Sequence, residues 1–158
     1  MLIRLDDLRE PEIVAFLEDH LEDMYAATPA AESRHVLDLE RLRRPEITFW
    51  SVWEGDLLVG CGALKELDPT HGEIKSMRTA TAHRGTGVAS AMLRHIIEEA
   101  ARRGYRRLSL ETGSGDFFAP ARALYAKFGF VVCEPFGDYK PDPNSYFMTR
   151  ATRREEET

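Results

Sequence analysis

Apolar side chains recur at helical spacing in four stretches of the chain, and the most regular stretch is Gly87–Gly104. Its apolar positions fall at intervals of 3 and 1 residues, which aligns them along one face: Ala89, Met92, Leu93, Ile96, Ile97 and Ala100. The same spacing predicts helices over Glu12–Tyr25 and around residues 36–42. A fourth helix is expected to begin at Pro120 and to stop at Gly129.

Short apolar runs bounded by turn residues predict the strands. They are Ile3–Leu5, Thr48–Trp53, Leu57–Leu67, Glu73–Thr79, Arg107–Glu111, Phe130–Cys133 and Ser145–Arg150. The second, third and fourth runs follow one another across short turns and predict an antiparallel meander. The strand, helix and strand at residues 73–111 predict a right-handed crossover. The expected order is β-α-α-β-β-β-α-β-α-β-β, an α/β fold with a mostly antiparallel mixed sheet, one parallel crossover and helices on both faces.

Length and composition limit the organisation of the chain. A sequence of 158 residues with 43% hydrophobic and 30% charged residues predicts one domain over residues 1–150 and a disordered tail over residues 151–158. No apolar run approaches the length that crosses a bilayer, so no membrane partner is expected. The N-terminus lacks the pattern of a secretory signal, which predicts a cytoplasmic protein.

Charge is distributed unevenly along the chain. The formal net charge is −6, yet residues 73–107 carry eight Lys and Arg against three acids. A basic segment inside an acidic protein favours a local anionic ligand over nucleic acid, although a solvated basic helix face accounts for the charge equally well. Cys61 and Cys133 stand 72 residues apart with no CxxC motif and no Cys and His cluster, so no metal site is predicted.

A glycine-containing turn lies between the predicted strand that ends at Thr79 and the most regular helix. Its residues are Arg84, Gly85, Thr86, Gly87, Val88, Ala89 and Ser90. Glycines let a backbone approach a ligand closely, and the free N–H groups at a helix N-terminus attract phosphate oxygens. The turn therefore predicts an anion site, with a plain helix-entry loop as the alternative. It is not a P-loop, because no Gly-Lys-Ser/Thr ends it.

Three segments together resemble the GNAT superfamily of acyl-CoA-dependent N-acyltransferases. The phosphate turn of that family runs Gln/Arg-x-x-Gly-x-Gly/Ala, and Arg84, Gly87 and Ala89 occupy its specified places. Residues 74–79, Ile-Lys-Ser-Met-Arg-Thr, look like the strand that pairs with the pantetheine arm. Residues 121–130, Ala-Arg-Ala-Leu-Tyr-Ala-Lys-Phe-Gly-Phe, are similar to the family's second signature without a gap. Their order and spacing identify the chain as a member.

The resemblance implies an enzyme that transfers an acetyl group from acetyl-CoA directly to a primary amine of a small molecule or peptide. The cofactor-binding residues that it implies are Met77, Thr79, Arg84, Gly85, Thr86, Gly87, Val88, Ala89 and Ser90. The turn at residues 84–90 would hold the pyrophosphate mainly through backbone N–H groups. The strand at residues 77–79 would supply a donor to the thioester oxygen.

Two proton transfers accompany such a reaction, because an alkylamine is protonated at neutral pH and a thiolate has to leave. Glu73 is the first candidate for the base, since several family members carry one at this place; a solvated glutamate is the alternative. Glu111, at the carboxyl end of the next parallel strand, is the second candidate, and an ordered water is the third. Tyr125 resembles the family tyrosine that protonates the leaving thiolate, with an apolar core position as its alternative.

The sequence indicates the chemical class of the acceptor but not its identity. Residues 1–56 carry fourteen acids against six basic residues, which favours a cationic amine. The candidate acceptor-binding residues are His35, Glu111 and Tyr139.

One departure from the family pattern concerns Phe118. Many members carry an asparagine at this place that contacts the cofactor, so that contact is not carried over; Ser114, Asp116 and Arg122 are candidate replacements. Two other functions stay open on sequence alone, a non-catalytic CoA-binding module and a dinucleotide-binding oxidoreductase. An exposed terminal strand would allow a homodimer.

Overall fold

A computed structural model describes residues 1–27 and 39–153 of the chain. Its strands are β1 (Leu2–Leu5), β2 (Ile47–Glu54), β3 (Leu57–Asp68), β4 (His71–Thr79), β5 (Arg107–Gly113), β6 (Val131–Val132) and β7 (Ser145–Ala151). Its helices are α1 (Pro11–Ala27), α2 (Leu39–Leu42), α3 (Val88–Arg102) and α4 (Ala119–Lys127). The elements follow the order that the sequence predicts.

Within the described residues, seven strands form one sheet in the order β1-β2-β3-β4-β5-β7-β6. β4 and β5 are parallel and are connected through α3, whereas the other five pairs are antiparallel. The predicted fold class is therefore confirmed, including the meander of β2, β3 and β4 and the single parallel crossover.

Hydrophobic cores lie on both sides of the sheet. α3 and α4 pack on one side of the central strands, in a cluster that includes Met92, Leu93, Ile96, Leu108, Leu110 and Tyr125. α1 and α2 pack on the other side of β2 and β3, in a cluster that includes Ile13, Leu17, Leu42, Phe49, Cys61 and Ala63. Because side chains alternate along a strand, the same strands contribute to both cores.

Two glycines of β3 allow α3 to lie close against the sheet. A Cβ at Gly62 would lie 2.7 Å from Cγ of Met92, and a Cβ at Gly60 would lie 2.6 Å from Cγ1 of Val88. Both distances are far shorter than van der Waals contact, so a side chain at either position would push the helix outward. The first residue of α3 is thereby held against β3.

The ends of several elements differ from the predictions by one or two residues; β5, for example, continues to Gly113 rather than stopping at Glu111. β6 spans Val131–Val132 rather than Phe130–Cys133, because the N–H of Phe130 donates to the carbonyl of Tyr125 and completes the end of α4. β4 begins at His71 rather than at residue 73.

The C-terminal region is ordered beyond residue 150. β7 continues to Ala151, and the buried hydroxyl of Thr152 donates to the carbonyl of Tyr105 at 2.6 Å. Residues 154–158 of the predicted tail, residues 36–38 of the second predicted helix and His35 lie outside the described residues. None of the helices in the described ranges has the length and apolar character needed to span a membrane.

Candidate active site

β4 and β5 separate part of the way along their length. Their parallel pairing ends at Ile74 and Leu110. Beyond that point β4 stays paired with β3, and β5 stays paired with β7. In the part of the chain that the structure describes, the facing edges of residues 75–79 and 111–113 therefore have no strand partner, and a gap opens between them. Backbone N–H and C=O groups along these edges are available to an extended ligand.

A bulge in β4 decides which side chains face each side of the sheet. Cys61 of β3 pairs with Arg78, and Ala63 pairs with Lys75, so residues 76–77 together oppose a single β3 residue. The two β3 residues belong to the core beneath α1. Their partners Lys75 and Arg78 therefore lie on the α1 side of the sheet as well.

Ser76 occupies the left-handed region at this bulge, with φ of 56°. Its carbonyl accepts a hydrogen bond from Sγ of Cys61 at 3.1 Å. Burial raises the pKa of the Cys61 thiol to about 12, so the thiol keeps the proton that it donates. The contact holds the strained residue in place and fixes the backbone of residues 77–79 at the edge of the gap.

The glycine turn precedes α3 at the open end of the gap. Gly85 and Gly87 have φ of 79° and 90°, a region that favours glycine, and both are exposed. The hydroxyl of Thr86 donates to the carbonyl of His83 and closes the turn. In the described chain the backbone N–H groups of residues 85–90 have no acceptor, as expected at a helix N-terminus. The predicted anion site is therefore open and rich in donors.

A hydrogen-bonded group of side chains centres on Glu73 of β4. Glu73 is buried, and its Oε2 accepts a hydrogen bond from the hydroxyl of Tyr139 at 2.6 Å. The ammonium of Lys75 lies 3.3 Å from both the same Oε2 and the Tyr139 hydroxyl. These two donors stabilise the carboxylate of Glu73. Burial and the adjacent Glu73 raise the pKa of Tyr139, which keeps its hydroxyl protonated.

Glu111 lies where β5 leaves β4, at the beginning of the gap. Burial raises the pKa of Glu111 from 4.5 to about 7, and the negative charges of Glu73 and Asp142 act in the same direction. A hydrogen bond from Ser145 and the charge of Lys75 oppose this shift. Glu111 therefore carries a carboxyl group that gains and loses a proton near neutral pH.

An aromatic group covers these carboxylates. The ring of Tyr139 lies 5.2 Å from that of Phe136 and 5.5 Å from that of Phe147, and both contacts are edge to face. Lys75 lies 5.8 Å from the centre of the Tyr139 ring. The loop between β6 and β7 therefore closes over the α1 side of β4 and β5, where the sequence predicts an acceptor contact for Tyr139.

Tyr125 lies in the core between α4 and the sheet. It is 6% exposed and packs edge to face against Phe130. Burial raises the pKa of its hydroxyl, which therefore stays protonated. No hydrogen bond joins this hydroxyl to another of the described residues. Tyr125 therefore packs in the core and also carries a protonated hydroxyl that is not engaged in a hydrogen bond.

Phe118 and its neighbours have structural contacts. The Phe118 ring packs over Gly113, where a Cβ would lie 2.0 Å from Cδ2. Nη1 of Arg122 donates to the carbonyls of Gly113 and Gly115 at 2.7 and 2.8 Å. The hydroxyl of Ser114 donates to a loop carbonyl. Arg122 and Ser114 therefore hold the segment that follows β5.

Sequence reasoning missed two cationic side chains of this region, Lys75 and Arg78. Both lie in the predicted strand, but regular alternation would place Arg78 on the side opposite Glu73. The bulge at residues 76–77 reverses that assignment. A bulge of this kind depends on pairing with β3 and has no signal in the local pattern.

Comparisons with known proteins agree with this geometry. Residues 13–130 match the model of the acetyltransferase (GNAT) family. The chain is 61% identical over 150 residues to the uncharacterized N-acetyltransferase YsnE of Bacillus subtilis (strain 168), an alignment that covers 95% of this chain and 99% of the relative. It is 51% identical over 147 residues to the uncharacterized N-acetyltransferase YedL of Escherichia coli (strain K12), covering 93% and 92% of the two chains.

Solved structures share the fold. A GNAT family acetyltransferase from Elizabethkingia anophelis with acetyl-CoA bound aligns with a TM-score of 0.66 at 19% identity, over 95% of this chain and 97% of that chain. The chain therefore belongs to the GNAT family of acetyltransferases. It is an enzyme of the N-acetyltransferase class. The dinucleotide-binding alternative is wrong, because the described sheet contains one parallel crossover instead of the repeated crossovers of that fold.

Proposed function

We propose that the enzyme transfers the acetyl group of acetyl-CoA directly to a primary amine of a small molecule or peptide. The observation that carries this proposal is the position of the glycine turn, whose free N–H groups lie at the open end of the gap between β4 and β5. A ligand with a diphosphate at one end and an extended amide-containing arm would use both features. Coenzyme A has that composition.

The residues present fit such a ligand. The N–H groups of residues 85–90 and the positive end of the α3 dipole favour phosphate oxygens, and exposed Arg84 adds a charge beside them. The gap offers unpaired backbone groups of Met77 and Thr79 to an amide-bearing arm. When bound, acetyl-CoA supplies the thioester; the chain supplies its orientation and a backbone donor at the bulge.

We assign the general base to Glu111. A base works best when its pKa lies near the working pH, and the pKa of about 7 at Glu111 meets that condition. Glu73 is 2% exposed and its Oε2 is engaged by Tyr139 and Lys75. Its role in this proposal is to orient those two side chains and, through its charge, to keep the pKa of Glu111 high.

Tyr125 is our candidate for the acid. Its hydroxyl stays protonated because it is buried, and it has no competing partner within the described residues. In the full reaction the amine nitrogen forms a bond to the acetyl carbonyl carbon and the carbon–sulfur bond breaks. The ammonium form of the amine first loses a proton to Glu111, which releases it to solvent, and the second proton leaves the nitrogen for Glu111 as the amide forms. The departing sulfur receives a proton from Tyr125, which solvent then reprotonates, so the products are an amide and a free thiol.

The experiment combines binding and turnover. Acetyl-CoA should raise the melting temperature of the purified protein in a concentration-dependent way, whereas NAD should not. A panel of amino acids, polyamines, aminoglycosides and peptides should then include acceptors that release free thiol from acetyl-CoA. Equal stabilisation by acetyl-CoA and NAD, or no thiol release from any amine, would refute the proposal.

A further inference from the structure

Arg78 is a buried arginine on the α1 side of β4, and α1 holds one edge of its guanidinium. Its side chain is 10% exposed, and Nη1 donates to Oδ2 of Asp23 at 2.8 Å. The same nitrogen lies 3.4 Å from Nδ1 of His20, and the guanidinium lies 5.4 Å from the centre of the Phe16 ring. Burial and the charge of Arg78 lower the pKa of His20 to about 4, so His20 is neutral at pH 7.

One donor on the other edge of the guanidinium, Nε, is unsatisfied. Nε of Arg78 is buried and, in the structure as described, has no hydrogen-bond partner. A buried donor without a partner is destabilising, and an arginine fixed by an ion pair on one edge would normally satisfy the other edge too. The Nε edge of a guanidinium is a planar pair of donors that matches the two oxygens of a carboxylate.

The free edge lies on the same side of the sheet as Glu73 and the proposed base Glu111. Arg78 and Glu73 pair with Cys61 and Lys65, four residues apart on β3, so their backbones are about 13 Å apart. Lys75 and the bulge lie between them. A small molecule lying over the bulge can therefore meet acidic groups near Glu73 at one end and the guanidinium at the other.

We propose that the natural acceptor carries a carboxylate separated from its amine by a chain of several atoms, as an ω-amino acid does, and that Arg78 binds this carboxylate through its Nε edge. The inference rests on the proposed function, because it assigns the second polar group of the same acceptor. The acetyl donor is expected in the gap between β4 and β5, whereas Arg78 lies beneath α1. The carboxylate is therefore assigned to the acceptor and not to the acyl group.

The test compares α- and ω-amino acids with their own carboxamides, using acetyl-CoA and following thiol release. The wild-type enzyme should prefer at least one acid over its carboxamide by tenfold or more in kcat/KM. Arg78→Met should reduce that preference to about twofold or less, mainly by raising KM for the acid, and should leave the rate with the carboxamide nearly unchanged. A variant that only loosens the fold would lower both rates together.

Two further variants keep the test decisive. Arg4 is another arginine that lies over an aromatic ring, that of Trp53, but it belongs to the distant strand β1. The Arg4→Met variant should retain the full preference for the acid over its carboxamide. If Arg78→Met does not fold, Arg78→Lys keeps the charge but loses the planar donor pair, and it should still weaken the preference.

Two results would overturn the proposal. One is equal use of acids and carboxamides by the wild type. Another is a preference for succinyl-CoA over acetyl-CoA that Arg78→Met abolishes, because the carboxylate would then belong to the donor. Failure of the proposed function itself looks different: acetyl-CoA would not raise the melting temperature and no amine would release thiol.

Discussion

β4 and β5 present opposite chemistry to the two sides of the sheet. Toward α3 and α4 they contribute Ile74, Leu108 and Leu110, all buried in one apolar cluster. Toward α1 the intervening positions of the same strands carry Glu73 and Ser109, both buried, and the half-buried Glu111. One side therefore stabilises the fold through apolar contact, and the other side buries polar groups.

The polar side depends on hydrogen bonds between side chains, whereas the apolar side does not. Burying polar groups is unfavourable unless each one is hydrogen-bonded. Glu73 and Ser109 meet this condition: Tyr139 and Lys75 donate to Glu73, and Ser109 bonds to His71 and Thr149 at 2.6 and 2.9 Å. The apolar side needs no such compensation. Substitutions on the two sides should accordingly affect different measurements.

The largest effect is expected for Glu111→Gln, which removes the proposed base from the polar side. The kcat/KM at pH 8 should fall by about 100-fold or more, because general base catalysis contributes about 10²–10⁴. The wild-type profile should rise with pH through the pKa of about 7, and the variant should lose this limb. Glu98→Gln, at an exposed position of α3, is the matched control and should behave as wild type. If the kcat/KM of the variant still rose with pH near pH 7, the rise would belong to a group other than Glu111.

The same substitution should change the pH dependence of stability. Glu111 binds a proton more tightly in the folded chain than at its ordinary pKa of 4.5, so wild-type stability should fall as pH rises from about 4.5 to about 7. The loss should reach roughly 3 kcal/mol, and glutamine should abolish it. Urea unfolding of both proteins at pH 5 and pH 8 measures the difference. A gap between the two proteins that is the same at both pH values would argue against the raised pKa.

On the apolar side, Gly62→Ala should reduce stability by about 2 kcal/mol, because the new Cβ would overlap Met92 and push α3 from the sheet. Gly115→Ala is the control, since a Cβ there meets no atom within 4 Å. It should change the free energy of unfolding by less than about 0.5 kcal/mol. Chemical denaturation compares the stability of the two variants. Equal effects would mean that the close approach of α3 does not require a glycine at position 62.

Tyr125 is buried in the apolar core and is also the proposed acid. Removing its hydroxyl, and in a second variant the hydroxyl of Tyr105, distinguishes a catalytic role from a structural one. Tyr125→Phe should lower kcat about tenfold with little change in stability, because its hydroxyl has no partner in the described structure. Tyr105→Phe removes a hydroxyl that donates to Glu66 at 2.7 Å. That variant should lose about 1 kcal/mol of stability and keep its activity. Unchanged turnover in Tyr125→Phe would mean that Tyr125 has a packing role only.

The fold was predictable from the sequence because its signals are local. The helical spacing that ends at Gly104, the turn residues between strands and the position of Pro120 each specify their own segment, and the element order follows from them. The exact ends were less predictable. Phe130, for example, is apolar as a strand residue would be, but its N–H completes the end of α4.

The candidate site was predictable only where backbone or motif defined it. The glycine turn and Glu73 lie in recognisable local contexts. The side of the sheet on which Arg78 lies depends instead on a bulge against β3, and the contacts of Lys75 depend on the loop that carries Tyr139. The raised pKa of Glu111 likewise comes from burial and from charges on other elements. Such properties arise from packing between segments distant in sequence, so no local pattern encodes them.

The proposed mechanism requires the free backbone N–H groups of residues 85–90 to bind the diphosphate of coenzyme A. Amide NMR of the ¹⁵N-labelled protein during titration with coenzyme A tests it most directly. The largest shift changes are expected on the amides of residues 85–90, with smaller ones along residues 75–79. Saturable binding that leaves the amides of residues 85–90 unperturbed would contradict it.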